Sequence, residues 1–170
     1  MMQSRGFSLI ELLMIMGILS ILYAIGTLSF NTYQKRYRAE AQTRLLFSEI
    51  QQARADAICQ RRGARIKVYR DRFERYSTYQ DDTSGVKPLQ SHPLTFPVVW
   101  EATSANGERY MIDFEPRGII DTAASSGGSI CIDDNAASAA VDSIKIFSTR
   151  ISIGKKGQGN DCRSANITVK

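Results

Sequence analysis

Glu11 is a carboxylate set in an apolar run. From Phe7 to Phe30 it is the only side chain charged at neutral pH, and Leu, Ile, Met and Ala dominate the rest, with two glycines, Gly17 and Gly26. An acidic group in a membrane-length segment costs about 2.5–3.5 kcal/mol on insertion scales, so it calls for a partner and a role. The plainer alternative is that Glu11, close to the start of the run, snorkels to the near interface. At about 1.5 Å per residue the run reaches about 36 Å, enough for a hydrocarbon core of about 30 Å. A cleaved secretory signal has an apolar core of about 7–15 residues and a small-residue cleavage site. This run is longer, no Ala-x-Ala pattern closes it, and helix-forming sequence continues beyond it.

The other reactive residue types are sparse. The three cysteines, Cys59, Cys131 and Cys162, allow three pairings. Cys131–Cys162 is favoured, because both fall in the loop-rich C-terminal part while Cys59 falls on a predicted helix; three reduced thiols are the alternative. A loop of about 31 residues closed this way is worth on the order of 3–4 kcal/mol by chain entropy and implies an oxidising compartment. The one histidine, His92, sits in an expected loop beside Pro93. Asp81-Asp82 and Asp133-Asp134 carry oxygen ligands suited to Ca²⁺, but not at EF-hand spacing, and are read as solvated loop acids. Nothing has the spacing of a zinc site, a catalytic triad or a Cys/His pair, so an enzymatic role and a cofactor are set aside. Arg150, Lys155, Lys156 and Arg163 surround a Gly-rich stretch, where lysines and backbone amides can hold phosphates. No aromatic side chain lies among them for base stacking.

These residues must be positioned by one long helix and a set of strands. Residues 31–62 contain no Pro or Gly and continue the helix, with Leu46, Ile50, Ala53 and Ala57 as an apolar stripe flanked by Phe47 and Ile58. Gln42, Arg44, Glu49, Gln52 and Arg54 fall mostly off that stripe. The whole helix spans about 56 residues, and Gly63 is its expected stop. Thereafter apolar residues alternate. Strands are expected around Ile66–Tyr69, Phe73–Tyr79, Leu94–Trp100 (with Pro97 marking an edge or bulge), Tyr110–Phe114, Ile130–Ile132, Ile144–Phe147, Ile151–Ile153 and Ile167–Val169. Turns are expected at Asp71-Arg72, Asn106-Gly107 and Pro116-Arg117-Gly118. Residues 80–93, 121–129 and 133–142 are expected loops, as are residues 154–160, too glycine-rich for a strand. The fold class is α+β: a long N-terminal helix packed on a small antiparallel all-β head.

Charge is segregated along the chain. Residues 31–75 carry 12 basic and 5 acidic side chains, residues 76–142 carry 3 and 10, and residues 143–170 carry 6 and 1. Opposite blocks of this kind suggest charge-complementary packing within or between subunits rather than a uniform nucleic-acid surface. Lys35, Arg36 and Arg38 follow the apolar run, whereas Arg5 alone among side chains precedes it. By the positive-inside tendency that balance places the C-terminal side in the cytoplasm.

Gly6-Phe7 followed by Ser8-Leu9-Ile10-Glu11-Leu12 closely resembles the type III signal of type IV prepilins and pseudopilins. The resemblance implies that residues 1–6 are a leader, that a prepilin peptidase cuts after Gly6 and N-methylates Phe7, and that Glu11 pairs with the N-terminal amine of a neighbouring subunit. A buried carboxylate and a buried ammonium, each costly alone, are tolerable together. It further implies residues 7–30 as a transmembrane half-helix, residues 31–62 as an amphipathic half, and residues 63–170 as a head in the periplasm, anchored once in the inner membrane. That orientation is opposite to the one from charge balance. Ile50-Gln51-Gln52-Ala53-Arg54-Ala55-Asp56-Ala57-Ile58 and Asp113-Phe114-Glu115-Pro116-Arg117-Gly118 resemble the GspH/FimT/FimU group of minor subunits. The expected function is therefore a minor pilin or pseudopilin at or near the tip of a type IV pilus or type II secretion pseudopilus. Its expected partners are other pilin or pseudopilin subunits, the peptidase and the inner membrane. The alternative is a DNA-binding minor pilin of natural transformation, using Arg150, Lys155, Lys156 and Arg163. The chain lacks the mid-helix proline that many major pilins carry.

Overall fold

A computed structural model describes residues 8–101, 108–121, 128–133, 139–157 and 161–170. The chain divides into two compact units, Met1–Lys35 and Arg36–Lys170. Helix α1 (Leu9–Gln60) contributes to both. From Leu9 to Ile25 it carries apolar side chains on all sides, and they are exposed. By length and composition this stretch can cross a membrane.

The second unit is the head, with the C-terminal part of α1 as its central element. Nine strands follow: β1 (Ala64–Val68), β2 (Arg72–Tyr76), β3 (Gln90–Pro93), β4 (Val98–Trp100), β5 (Tyr110–Phe114), β6 (Gly128–Ile132), β7 (Ser143–Ile146), β8 (Ile151–Lys156) and β9 (Ile167–Val169). They form two antiparallel sheets, ordered β3-β2-β1-β5 and β4-β6-β7-β8-β9. The α+β architecture expected from the periodicities is the one observed. Ala39, Thr43, Leu46, Ile50, Ala53 and Ala57 are buried along α1 in alternating steps of four and three, the spacing of a single helical face. The lower part of this stripe shares one core with Ile66, Val68, Phe73, Ile112 and Phe114 of the first sheet and with Ile130, Ile144 and Ile146 of the second. Full burial of each such Leu, Ile or Phe is worth about 1.5–3 kcal/mol.

Several local expectations are corrected. The helix stops at Arg61, not Gly63. Arg61 takes the left-handed conformation (φ 50°), its N–H donates to the Ile58 carbonyl (3.3 Å), and the Arg62 N–H donates to the Ala57 carbonyl (3.2 Å). That is a Schellman ending with arginine where glycine is usual. Gly63 serves packing instead, because a Cβ there would lie 2.2 Å from the Tyr79 ring, whose hydroxyl donates to the Phe114 carbonyl (3.0 Å). Residues 80–93 are not all loop: β3 pairs with β2 in register from Arg72↔Pro93 to Arg75↔Gln90. The expected strand at Leu94 begins only at Val98, after Pro97. Arg72, expected in a turn, opens β2, and the turn is Arg70-Asp71, closed by Tyr69 N–H to the Arg72 carbonyl (2.8 Å).

Gln42 and Glu49, expected off the buried stripe, are both buried. Between β3 and β4 the chain passes from the edge of one sheet to the edge of the other. There Gln42 donates from Nε2 to the Phe96 carbonyl (2.7 Å) and accepts at Oε1 from the Phe96 N–H (2.9 Å). This side-chain amide satisfies both backbone groups of a crossing residue, as a neighbouring strand would.

The Pro116-Arg117-Gly118 turn forms as expected, with Gly118 left-handed (φ 74°) and its N–H bonded to the Glu115 carbonyl (2.8 Å). A Cβ on Gly118 would meet Ile58 Cδ1 at 2.6 Å, so the turn sits directly on the last turns of α1. Asn106-Gly107 lies outside the described residues.

Candidate assembly site

Glu11 lies in the first turn of α1. The Ser8 carbonyl accepts from the Glu11 N–H (3.1 Å) and the Leu12 N–H (3.2 Å), which opens the helix. Negative charge is favoured at this end by the helix dipole. The Glu11 side chain is exposed and has no hydrogen bond or ion pair among the described residues, and the surrounding Leu9, Ile10, Leu12 and Leu13 are exposed as well. An acid ringed by apolar surface is an incomplete arrangement that a cation on an apolar partner would complete. Gly6 and Phe7, the expected cleavage and methylation positions, lie outside the described residues.

The head treats its charges differently. Arg65 donates from Nε to Asp113 Oδ1 (2.6 Å), from Nη2 to Asp113 Oδ2 (2.7 Å) and from Nη1 to Asp81 Oδ2 (2.7 Å). Lys67, with 0 % of its side chain exposed, pairs with Asp81 (2.8 Å) and with Asp82. Asp81 also accepts from the N–H (3.0 Å) and hydroxyl of Thr83, capping a short 3-10 helix, Asp82–Ser84. Burial alone would raise the Asp81 pKa, but the hydrogen bonds from Lys67, Thr83 and Arg65 outweigh it and hold the carboxyl well below the usual carboxylate range. Asp81 is 3 % exposed, so it is a buried ion-pair partner and not a solvated loop acid. The cluster was missed at the level of sequence, but a signal existed. Arg65 and Lys67 are two apart in a strand and so share a face, and the acidic middle of the chain supplies their partners.

His92 is also relocated. It lies in β3, stacks on Phe73 (ring centroids 5.0 Å apart) and stands 3.8 Å from Glu49 Oε1. Arg75 completes that corner, with Nη1 donating to Asp56 (2.7 Å), Nη2 donating to the Gln90 side chain (2.7 Å), and Nε 3.5 Å from Glu49. Among the described residues no group of three or more His, Cys, Asp or Glu side chains could hold a metal ion.

Cys131 in β6 is disulfide-bonded to Cys162, with Cα atoms 5.8 Å apart, and Cys59 is a free, exposed thiol on α1. The four basic residues near the C-terminus do not share one loop. β8 runs through Gly154, Lys155 and Lys156 and pairs with β9. Glycine is required there, since a Cβ on Gly154 would meet the Thr168 carbonyl oxygen and Ile167 Cγ2 at 2.6 Å each. Consecutive strand residues point to opposite faces, so Lys155 and Lys156 cannot serve one phosphate from the same side. Arg150 donates from Nε to Ser152 (3.0 Å), and Arg163 faces Asp161 (3.5 Å).

Residues 1–26 match the family model described as the prokaryotic N-terminal methylation motif. No curated protein and no solved structure matches the chain. The motif, on a hydrophobic N-terminal helix that continues into an antiparallel head, supports a type IV pilin-like subunit. Subunits of that kind are structural rather than enzymatic, and the motif implies processing by a prepilin peptidase and assembly with other pilins.

Proposed function

We propose that this chain is a minor subunit of a type IV pilus or a type II secretion pseudopilus, acting at or near the filament tip. The observation that carries its place in a filament is Glu11: one carboxylate, exposed at the start of a membrane-length apolar helix, inside a matched N-terminal methylation motif; the minor role rests on the GspH/FimT/FimU-like segments 50–58 and 113–118. The prepilin peptidase cuts after Gly6 and methylates Phe7. Before assembly the apolar half of α1 resides in the inner membrane with the head on the periplasmic side, where an oxidising environment suits the Cys131–Cys162 bond. On assembly that half enters an apolar filament core, and Glu11 pairs with the Phe7 amine of a neighbour and sets the register.

The test is the mature N-terminus, determined by intact mass and terminal sequencing from cells with and without the prepilin peptidase. A methylated Phe7 start that disappears without the peptidase is the expected result. An intact Met1 start in both strains would overturn the proposal, as would normal-length cleavage after replacement of Gly6.

A further inference from the structure

His92 is the only histidine of the chain, and it stands in β3, the edge strand of the first sheet. Its ring lies on Phe73, and its Nε2 is 3.8 Å from Glu49 Oε1 on α1. Three buried side-chain atoms of this corner have no hydrogen-bond partner among the described residues: His92 Nε2, Glu49 Oε2 and Arg75 Nε. Glu49 and Arg75 are 8 % and 7 % exposed, so little solvent screens them. Arg75 Nε is 3.5 Å from Glu49 Oε2, while its Nη1 and Nη2 donate to Asp56 and Gln90. Arg72 and Glu74, the alternate residues of β2, pair with each other on the opposite face (2.9 Å). The corner thus holds one positive charge, on Arg75, against two negative ones, on Glu49 and Asp56. A neutral imidazole leaves it one positive charge short, and an imidazolium balances it. The same side of α1 meets the chain twice, since Gln42 and Glu49 are seven residues apart. Gln42 holds Phe96 by two hydrogen bonds between groups that do not titrate, and Glu49 faces His92, four residues earlier.

From this geometry we infer that His92 and Glu49 form a pH-dependent latch, closed when the imidazole is protonated, that fastens β3 and the start of the crossing between the sheets to α1. A neutral imidazole offers Glu49 an N–H of ordinary strength at most. Protonation converts the contact to a charge-assisted one, roughly twice as strong, and supplies the missing positive charge. Imidazole is the side chain whose charge ordinarily changes between about pH 5 and 8. The latch therefore adds stability to the head as pH falls through that range and releases it as pH rises. The crossing is then held by a fixed clamp at Phe96 and by a conditional one at His92. Every group in the latch belongs to the head, so the inference does not depend on the filament reading.

The test is urea unfolding of the full-length chain in neutral detergent micelles at about pH 8 and about pH 5.5, near the two ends of the imidazole range. Fluorescence of Trp100, the only tryptophan, reports on the head from β4. A hydrogen bond to a charged group is worth about tenfold or more in an equilibrium constant, so the unfolding constant should fall about tenfold from the higher pH to the lower. Carboxylates with ordinary or lowered pKa values stay ionised throughout this window. Glu49→Gln keeps the shape and removes the anion, and should abolish the change. His92→Gln keeps an amide donor and removes the titration, and should give the same flat response; it carries the test should Glu49→Gln fail to fold. Other groups that titrate in the window are common to the wild type and both variants and cancel in the comparison. A wild-type response that persists in either variant belongs to another group and overturns the inference. So does a wild-type unfolding constant that is unchanged or rises at the lower pH. Destabilisation of Glu49→Gln by the same factor at both pH values also overturns it, marking Glu49 as a structural carboxylate only.

Discussion

The two stretches of α1 differ in how their needs are met. The stretch from Leu9 to Ile25 presents apolar side chains all round, leaves them exposed, and adds a carboxylate with no partner among the described residues. Residues 39–57 have a far more polar sequence, yet they bury a complete stripe, and even their Gln42 and Glu49 are drawn into contacts. The more hydrophobic stretch is thus the less buried one. A one-sided stripe can be satisfied by two sheets of the same chain, whereas a helix apolar on every side has no single face to offer and requires a lipid or multi-helix environment. Charges follow the same division. Arg65 and Lys67 pair with Asp81, Asp82 and Asp113 inside the head, while Glu11 has no partner among the described residues.

If that contrast is right, the largest effect should come from Glu11. Glu11→Ala should leave the chain in the membrane and reduce its incorporation into filaments by about 100-fold or more, as expected when one buried ion loses its partner at about 3–5 kcal/mol. Quantifying the subunit in sheared filaments against membrane content checks this; undiminished incorporation would remove Glu11 from the assembly mechanism.

Asp81 is the counterpart in the head. Asp81→Ala should destabilise the head by about 3–5 kcal/mol, measured by denaturant unfolding, because Lys67 then loses a partner while fully buried. The pH dependence has a definite sign. The folded Asp81 pKa lies below the unfolded value of about 3.9, so its contribution is complete above that value and is lost as pH falls below it toward the folded pKa. Head stability should therefore drop below about pH 4, and less so in Asp81→Asn. An unchanged acid profile in that variant would assign the acid sensitivity elsewhere.

A paired truncation probes the apolar side of the contrast. Ile50→Ala should cost the head about 2–5 kcal/mol, since Ile50 is fully buried against the sheets. Ile18→Ala, in the exposed stretch, should leave head unfolding unchanged within about 0.5 kcal/mol. Equal effects would mean that the two stretches are not energetically distinct. The smallest change concerns the helix end. Arg61→Gly should stabilise the head by about 1 kcal/mol by relieving the left-handed arginine, visible as a small rise in melting temperature.

Much of the fold was legible from periodicity. An apolar run with a single charge, a stripe at Leu46, Ile50, Ala53 and Ala57, and alternation at Tyr110, Ile112 and Phe114 are local patterns, and local patterns report which face of an element is buried. Failures came where a residue acts through a distant neighbour. Gly154 reads as a loop former until β9 is placed against it; then its missing side chain is what lets the strand continue through Lys155 and Lys156. His92 reads as a solvated loop residue until β3 pairs with β2 and brings it onto Phe73.

The long helix, its membrane-length apolar half, the anomaly of Glu11 and the β character of the remainder are all readable from the chain alone, because each depends on residues close together in it. Contacts across the fold set the rest: Asp81 is buried between Arg65 and Lys67, Gln42 clamps the crossing at Phe96, Arg61 ends the helix, and Lys155 and Lys156 point to opposite faces of β8. Each of those rests on pairing, burial or backbone geometry set by contacts across the fold, and the energy of a charge or an amide depends on what surrounds it, which no local pattern encodes.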